Sequence, residues 1–99
     1  MWIVYLIQHT TLKQIYIGIT DDLKRRLKEH NAKGKKFTTR NQGEWVLIYA
    51  EAYRSKKEAE LRERKLKNHG SGKHELIKRL ENSLLENTKL GLDAAKDFK

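Results

Sequence analysis

Residues 14–30 read QIYIGITDDLKRRLKEH, and this stretch contains the pattern of a strand followed directly by the pattern of a helix. Along the strand, three isoleucines at alternate positions form one apolar face, and the opposite face carries Gln14, Tyr16 and Gly18. Alternation with a period of two is typical of a strand that buries one face in a core. The sequence therefore predicts a strand over residues 14–19 whose second face holds a tyrosine and a glycine.

The helix that follows begins with polar residues that favour a helix N-terminus. Thr20 is predicted as its N-cap, with Asp21 and Asp22 in the first turn, where carboxylates interact favourably with the helix dipole. We expect this helix to end near Ala32 and a basic loop to follow over residues 33–43.

One edge of this helix carries two polar side chains of chemical interest. Leu23 and Leu27 form its apolar stripe, and Arg26 and His30 lie at the edge of that stripe, one turn apart. Their spacing places a guanidinium and an imidazole together above one part of the sheet. Arginine is a permanently charged ligand for phosphate, and histidine can accept a proton or orient a neighbour.

The remaining elements complete an α+β pattern. Strands are predicted at residues 2–7 and 45–50, a helix from the capping box at residues 55–58 to about Asn68, and a third helix after residues 70–72. The first two strands are expected to form a hairpin. The order β-β-α-β-α-α predicts a small three-stranded antiparallel sheet flanked by helices.

The length and the apolar content restrict the class of protein. A chain of 99 residues indicates one domain, which we place at residues 1–84, followed by a loosely ordered C-terminal tail over residues 85–99. The chain contains no cysteine, which fits a reducing compartment. Its longest apolar run, Trp2–Ile7, is too short to cross a bilayer and lacks the features of a signal peptide. We therefore expect a cytoplasmic protein.

The charge of the chain is strongly positive and unevenly distributed. The net charge is +9, and residues 24–40 contain eight basic residues and one acid. Such a balance favours a polyanionic partner, which can be DNA, RNA or an anionic membrane surface. The competing interpretation is a solvated surface that keeps a small protein soluble. No helix has the broad aromatic and aliphatic face of a membrane binder, so nucleic acid is the predicted partner.

Single residues in this pattern each have a structural explanation as well as a functional one. A glycine weakens a strand and often marks a close approach by backbone or ligand, which makes Gly18 unusual. Glu63 falls on the same predicted helix face as Ala59 and Leu66, where a carboxylate needs a partner or a metal. The structural alternatives are a core role for Tyr5, a surface role for Arg26, a helix-terminal role for His30, and pairing of Glu63 with Arg62 or Lys67.

As a set, these residues resemble the motifs of the GIY-YIG nucleases. Tyr16-Ile17-Gly18 matches the YIG half of the signature, and Val4-Tyr5-Leu6 resembles the GIY half, with the tyrosine in place. Arg26 follows the second tyrosine at the spacing of the family's essential arginine, and His30 follows one turn later. Glu63 matches the family's metal-binding glutamate on a later helix.

The resemblance covers about residues 1–80 and is closest to the small standalone bacterial members. It extends to the N-terminal nuclease domain of the bacterial excision-repair incision subunit, so DNA repair is among the roles it implies. Three departures concern the site. The first motif lacks its glycine and isoleucine, and Ile19 replaces a lysine that often follows YIG. The family's asparagine after the metal-binding helix has only Asn68 as a candidate here.

The resemblance implies a metal-dependent endonuclease that hydrolyses phosphodiester bonds, with DNA as the expected substrate. Mg²⁺ or Mn²⁺ would bind at Glu63, Arg26 would bind the scissile phosphate, and Tyr5 would activate or position the attacking water. His30 would accept that proton or hold Tyr5 in place, and Tyr16 would line the site. Residues expected to contact the nucleic-acid backbone are Gly18, Lys33, Lys35, Lys36 and Arg40. The alternatives are a non-catalytic nucleic-acid-binding module and a nuclease subunit that needs a partner.

Overall fold

The architecture of the chain is an antiparallel sheet of three strands combined with three helices. The computed structural model describes residues 1–37, 43–68, 71–86 and 88, with the backbone alone described at residues 33–37 and 71. The elements are β1 (Trp2–His9), β2 (Ile15–Thr20), α1 (Leu23–Phe37), β3 (Trp45–Tyr53), α2 (Lys56–Lys67) and α3 (Ser71–Arg79). The predicted α+β fold and the order β-β-α-β-α-α are confirmed.

Strand β1 is the centre of the sheet and is buried on both faces. The sheet order is β2-β1-β3, and both neighbours run antiparallel to β1. Val4 and Leu6 point to one face and Tyr5 and Ile7 to the other, and all four are almost completely buried. A strand that is apolar at successive positions is suited to this place, because it contacts other elements on both sides.

The hydrophobic core lies on the face of the sheet that carries Val4 and Leu6. Strand β2 contributes Ile15 and Ile17 to this face, so the isoleucine face predicted from the sequence is the core face. Helices α2 and α3 cover it, and their buried residues are Ala59, Leu66, Leu76 and Ile77, with Leu80 and Leu84 beyond α3. Tyr5, Tyr16 and Gly18 lie on the opposite face, under α1. Within the described parts of the chain, the helices are too short or too polar to span a bilayer.

The start of α1 differs from the prediction by two residues. The backbone N–H of Arg25 donates to Asp22 Oδ1 at 3.1 Å, so Asp22 is the N-cap of the helix. Thr20, the predicted N-cap, is instead the last residue of β2, and its hydroxyl accepts from the Asp22 N–H at 3.1 Å. Both residues can cap a helix. Because Thr20 pairs with Ile3 in the sheet, its backbone is extended, and the helix begins after Asp22 instead.

The end of α1 was also predicted too early. The helix continues through Ala32 to Phe37, so residues 33–37 are helical, where the sequence predicted the start of a basic loop. Gly34 lies within the helix, because an interior glycine costs only about 1 kcal/mol relative to alanine and does not by itself stop a helix. The basic residues in this segment therefore lie on a continuation of the helix that carries Arg26 and His30.

Helix α2 begins and ends close to where the sequence predicted. Ser55 caps its N-terminus by accepting the backbone N–H of Glu58 at 3.3 Å. Asn68 follows the last helical residue, and its N–H donates to the Arg64 carbonyl at 2.9 Å. Leu61, which did not fit the apolar stripe of the helix, is 48% exposed and lies outside the core.

The segment after α3 packs against β1, so the predicted domain end at residue 84 is too early. The fully buried Gln8 side chain accepts the backbone N–H of Leu85 at 2.9 Å and donates to Thr88 Oγ1 at 2.7 Å. A buried amide must find partners, and this one finds them in the segment that was predicted as a loose tail. Residues 89–99 of that predicted tail lie outside the described residues.

Candidate active site

A tyrosine–histidine pair occupies the face of the sheet under α1. Tyr5 is 1% exposed, and its hydroxyl lies 3.0 Å from His30 Nε2. Burial raises the pKa of Tyr5 to about 12, although the nearby Arg26 opposes this shift. The phenol is therefore protonated at neutral pH, and it can donate its hydrogen bond to an unprotonated Nε2 of His30. The core explanation for Tyr5 accounts for its burial and for a hydrogen-bond partner, but it does not require that this partner be an ionisable imidazole.

Gly18 lies directly beneath this pair. It is the strand partner of Tyr5, and a Cβ at this position would lie 2.6 Å from Tyr5 Oη and 2.8 Å from Tyr16 Cε1. The sequence predicted that this glycine contacts the nucleic-acid backbone of the substrate. The space above it is instead filled by the two tyrosine rings, so the glycine is required for the packing of the site itself.

Tyr16 extends the site from the buried pair toward the surface. Its ring centroid lies 4.7 Å from that of His30 and 6.1 Å from that of Tyr5, with the His30 ring edge-on. Aromatic rings prefer such tilted arrangements, which hold each ring in one orientation. Tyr16 therefore lies against both rings of the buried pair, and its role in lining a substrate site remains a prediction.

Trp45 belongs to the same cluster and was missed from the sequence. Its ring lies 6.2 Å from His30 and 6.4 Å from Tyr16 between centroids. The Asn31 side chain holds it there, because its Oδ1 accepts the Trp45 N–H at 2.7 Å and its Nδ2 donates to the Trp45 carbonyl at 3.2 Å. A tryptophan at the start of a strand has no sequence spacing that relates it to Tyr16, so no local signal indicated this contact.

Arg26 lies beside Tyr5, whereas its neighbour Arg25 does not. The Arg26 side chain is 32% exposed and forms an ion pair with Glu29 at 3.2 Å. The neighbouring Tyr5 hydroxyl raises the pKa of Arg26, so the guanidinium remains charged next to the phenol. Arg25 is 62% exposed and pairs with Asp21 at the surface. The structure thus brings Tyr5, His30 and Arg26 together, whereas the spacing within the helix predicted this only for Arg26 and His30.

Glu63 approaches the site from α2 and is joined to it through a lysine. Its side chain is 18% exposed, and Oε2 lies 3.1 Å from Lys67 Nζ. That Nζ atom lies 5.7 Å from the centroid of the Tyr16 ring. Of the two partners that the sequence offered to Glu63, Lys67 is therefore the observed one. Arg62, the other, pairs with Glu51 of β3 at 2.9 Å.

The Glu63 carboxylate fits a hard divalent cation that takes few ligands from the protein. The described residues include no group of three or more histidine, cysteine or acidic side chains that could hold a metal by themselves. Mg²⁺ does not require such a group, because it commonly binds through one or two carboxylates and completes its shell with water and substrate phosphate. A single, half-buried glutamate at the edge of the cluster is compatible with that mode of binding.

The predicted nucleic-acid contacts fall largely beyond the described side chains. Lys33, Lys35 and Lys36 lie on the last turns of α1, where only the backbone is described. Arg40 lies outside the described residues. Their contact with nucleic acid remains a prediction.

Comparison with known proteins assigns this arrangement to a family. The family model described as the GIY-YIG catalytic domain matches residues 1–75, which contain all three strands, α1, α2 and each of the residues of the site. The chain belongs to the GIY-YIG family.

Two relatives are small proteins with no stated activity in their names. The chain is 40% identical over 68 residues to UPF0213 protein DP2720 of Desulfotalea psychrophila, an alignment that covers 67% of this chain and 60% of that protein. The chain thus spans less than two thirds of the length of this relative. It is also similar to the solution NMR structure of UPF0213 protein BH0048 from Bacillus halodurans, with 31% identity, a TM-score of 0.49, and coverage of 97% and 94% of the two chains.

Proposed function

We propose that this protein is a metal-dependent endonuclease that hydrolyses phosphodiester bonds, acting on DNA in the cytoplasm. The observation that carries the proposal is the 3.0 Å contact between the buried Tyr5 hydroxyl and His30 Nε2, with the Arg26 guanidinium beside the phenol. A core tyrosine requires neither a histidine partner nor a neighbouring charge. Together these groups can hold a phosphate and move a proton next to it.

The three groups have separate roles in the proposed reaction. Arg26 binds the scissile phosphate and stabilises the negative charge that develops on its oxygens. Tyr5 orients the attacking water and accepts its proton as its own proton passes to His30 Nε2. The transfer to His30 is needed because the pKa of Tyr5 is about 12 in the free protein, which leaves no phenolate to act as a base.

Glu63 is the residue proposed to hold the metal. A bound Mg²⁺ or Mn²⁺ would act as a Lewis acid toward a phosphate oxygen. The support for this assignment is the half-buried carboxylate at the edge of the Tyr16 cluster and its match to the family's metal ligand. Glu60, about one turn earlier on the same helix, is exposed and serves as a matched control.

The proposed substrate contacts follow the positive charge of the chain. Lys33, Lys35, Lys36 and Arg40 are proposed to track the nucleic-acid backbone, and such contacts bind without reading sequence. The net charge of +9 supports a polyanionic substrate.

The test is a plasmid-nicking assay in Mg²⁺, in Mn²⁺ and in excess EDTA. Glu63→Gln should abolish nicking while DNA binding survives, because the substitution removes the carboxylate charge and keeps the shape. Glu60→Gln should nick at the wild-type rate. Nicking that persists in EDTA or in Glu63→Gln would disprove the metal assignment, and DNA binding by a wild-type protein that never nicks would favour the binding-module alternative.

A further inference from the structure

The Lys67 side chain contacts not only a residue of its own helix, α2, but also a residue of β2. Its amine lies between two groups of the candidate site, 3.1 Å from Glu63 Oε2 and 5.7 Å from the Tyr16 ring centroid. The same side chain lines a cleft together with Tyr16 and Trp45. A cation thus sits against the carboxylate that is proposed to bind a metal.

An ordinary surface pair on a helix is the alternative explanation. Glutamate and lysine at i and i+4 commonly form exposed pairs worth only about 0.3–0.5 kcal/mol. Two observations separate Glu63–Lys67 from such pairs. The carboxylate is only 18% exposed, so it is partly removed from water, and the amine also contacts an aromatic ring of another element. The pair therefore belongs to the site as much as to the helix.

We propose that Lys67 is the counterion of Glu63 in the metal-free protein, and that a divalent cation displaces its amine from the carboxylate toward a substrate phosphate in the cleft beside Tyr16. This inference rests on the proposed function. The amine and the metal cannot both occupy the same carboxylate oxygen, and their like charges repel each other at short range. The lysine side chain is 42% exposed and has four rotatable methylenes, so the amine can move without any change in α2.

Two opposite effects follow from this exchange. Loss of the Lys67 charge removes the competitor for Glu63, so the protein should bind a divalent cation more tightly. The same loss removes a positive group from the cleft, so the bound phosphate should be cleaved more slowly. A lysine that only pairs with Glu63 would change the affinity for metal but not the rate of cleavage at saturating metal, and one that only attracts nucleic acid would not change the affinity for metal in the absence of DNA.

The experiment compares Lys67→Met with Lys65→Met. Lys65 is exposed on the same helix, carries the same charge and lies about 200° around the helix axis from Lys67. Mn²⁺ binding without nucleic acid is measured by the EPR signal of the free ion, and cleavage is measured as a single turnover at saturating protein and saturating Mn²⁺. We expect Lys67→Met to bind Mn²⁺ roughly fivefold more tightly and to cleave roughly tenfold more slowly, whereas Lys65→Met changes either quantity less than twofold.

Unchanged or weaker Mn²⁺ binding by Lys67→Met would disprove the proposal that Lys67 competes with the metal for Glu63. A wild-type cleavage rate in this variant would disprove the proposed contact between Lys67 and the substrate phosphate. Glu63→Gln keeps this failure separate from failure of the proposed function. If Glu63→Gln binds Mn²⁺ as well as the wild type does, the metal assignment itself is wrong. If it loses Mn²⁺ binding while Lys67→Met behaves like Lys65→Met, only the role of Lys67 is disproved.

Discussion

At the scale of single residues, Arg25 and Arg26 are adjacent and carry the same charge, yet the fold gives them different surroundings. Arg26 is 32% exposed beside Tyr5, and Arg25 is 62% exposed in a surface pair with Asp21. Arg26→Ala should reduce turnover by roughly a hundredfold or more, the effect of removing one group that stabilises transition-state charge. Arg25→Ala should mainly weaken binding.

Cleavage in a single turnover at saturating protein distinguishes these two effects, because a loss of binding then cannot imitate a loss of chemistry. Equal cleavage rates for the two variants would contradict a catalytic role for Arg26 and would leave both arginines as parts of a positive surface.

Gly18 is a second residue at which a small change has a specific consequence. A Cβ would lie 2.6 Å from Tyr5 Oη and 2.7 Å from Tyr5 Cζ, and Tyr5 is too buried to move freely. Gly18→Ala should lower the free energy of unfolding by about 1–3 kcal/mol through overpacking. It should also slow cleavage, because the displaced hydroxyl loses its alignment with His30. Urea denaturation and a single-turnover assay measure the two effects, and a variant as stable and as active as the wild type would contradict this account.

At the scale of elements, Glu51 joins β3 to the helix that carries Glu63. Its carboxylate is 15% exposed and pairs with Arg62 of α2, and it accepts the hydroxyls of Tyr49 and Tyr53, each at 2.6 Å. Burial alone would raise the pKa of Glu51, but the bonds from Arg62 and the two tyrosines outweigh it and lower the pKa to about 2. This cluster holds α2 in one position on the sheet.

The stability contributed by Glu51 should depend on pH in a defined window. Because the pKa is lowered on folding, from 4.5 to about 2, the contribution is fully present above pH 4.5 and is lost as the pH falls toward 2. Glu51→Gln should lower the free energy of unfolding by about 3 kcal/mol at pH 7 and by much less near pH 2. Denaturation across this range checks the prediction, with the exposed Glu75→Gln as control, and a difference independent of pH would refute it.

At the scale of the whole molecule, the positive charge is expected to dominate binding. Helix α1 continues to Phe37, so the backbone of residues 33–37 extends the element that carries Arg26 and His30. Each phosphate contact releases condensed counterions, so four contacts would weaken binding roughly a hundredfold between 50 and 200 mM salt. Fluorescence anisotropy with Glu63→Gln measures this without cleavage, and an affinity that stays constant over this range would exclude electrostatic binding.

Local patterns in the sequence were sufficient for most of the fold and for part of the site. Alternating isoleucines located β2 and its core face, and the capping box located the start of α2. The spacing of Arg26 and His30 placed both on one edge of α1, because a period of 3.6 residues depends on the helix alone. The predicted ends of α1 were wrong. Thr20 pairs in the sheet instead of capping the helix, and the helix continues past Gly34 to Phe37.

Contacts between residues that are distant in the chain could not be predicted from the sequence. The hydrogen bond of Tyr5 to His30, the packing of Trp45 against Tyr16 and the tie from Gln8 to Leu85 all depend on strand register and on helix packing. Glu63 had two possible partners on its own helix, Arg62 and Lys67. Because Arg62 pairs with Glu51 of β3, the partner of Glu63 is Lys67. A local pattern indicates which face of a helix or strand a residue lies on. Which side chain contacts that residue depends on how separate elements pack together, and this packing is determined by the whole chain.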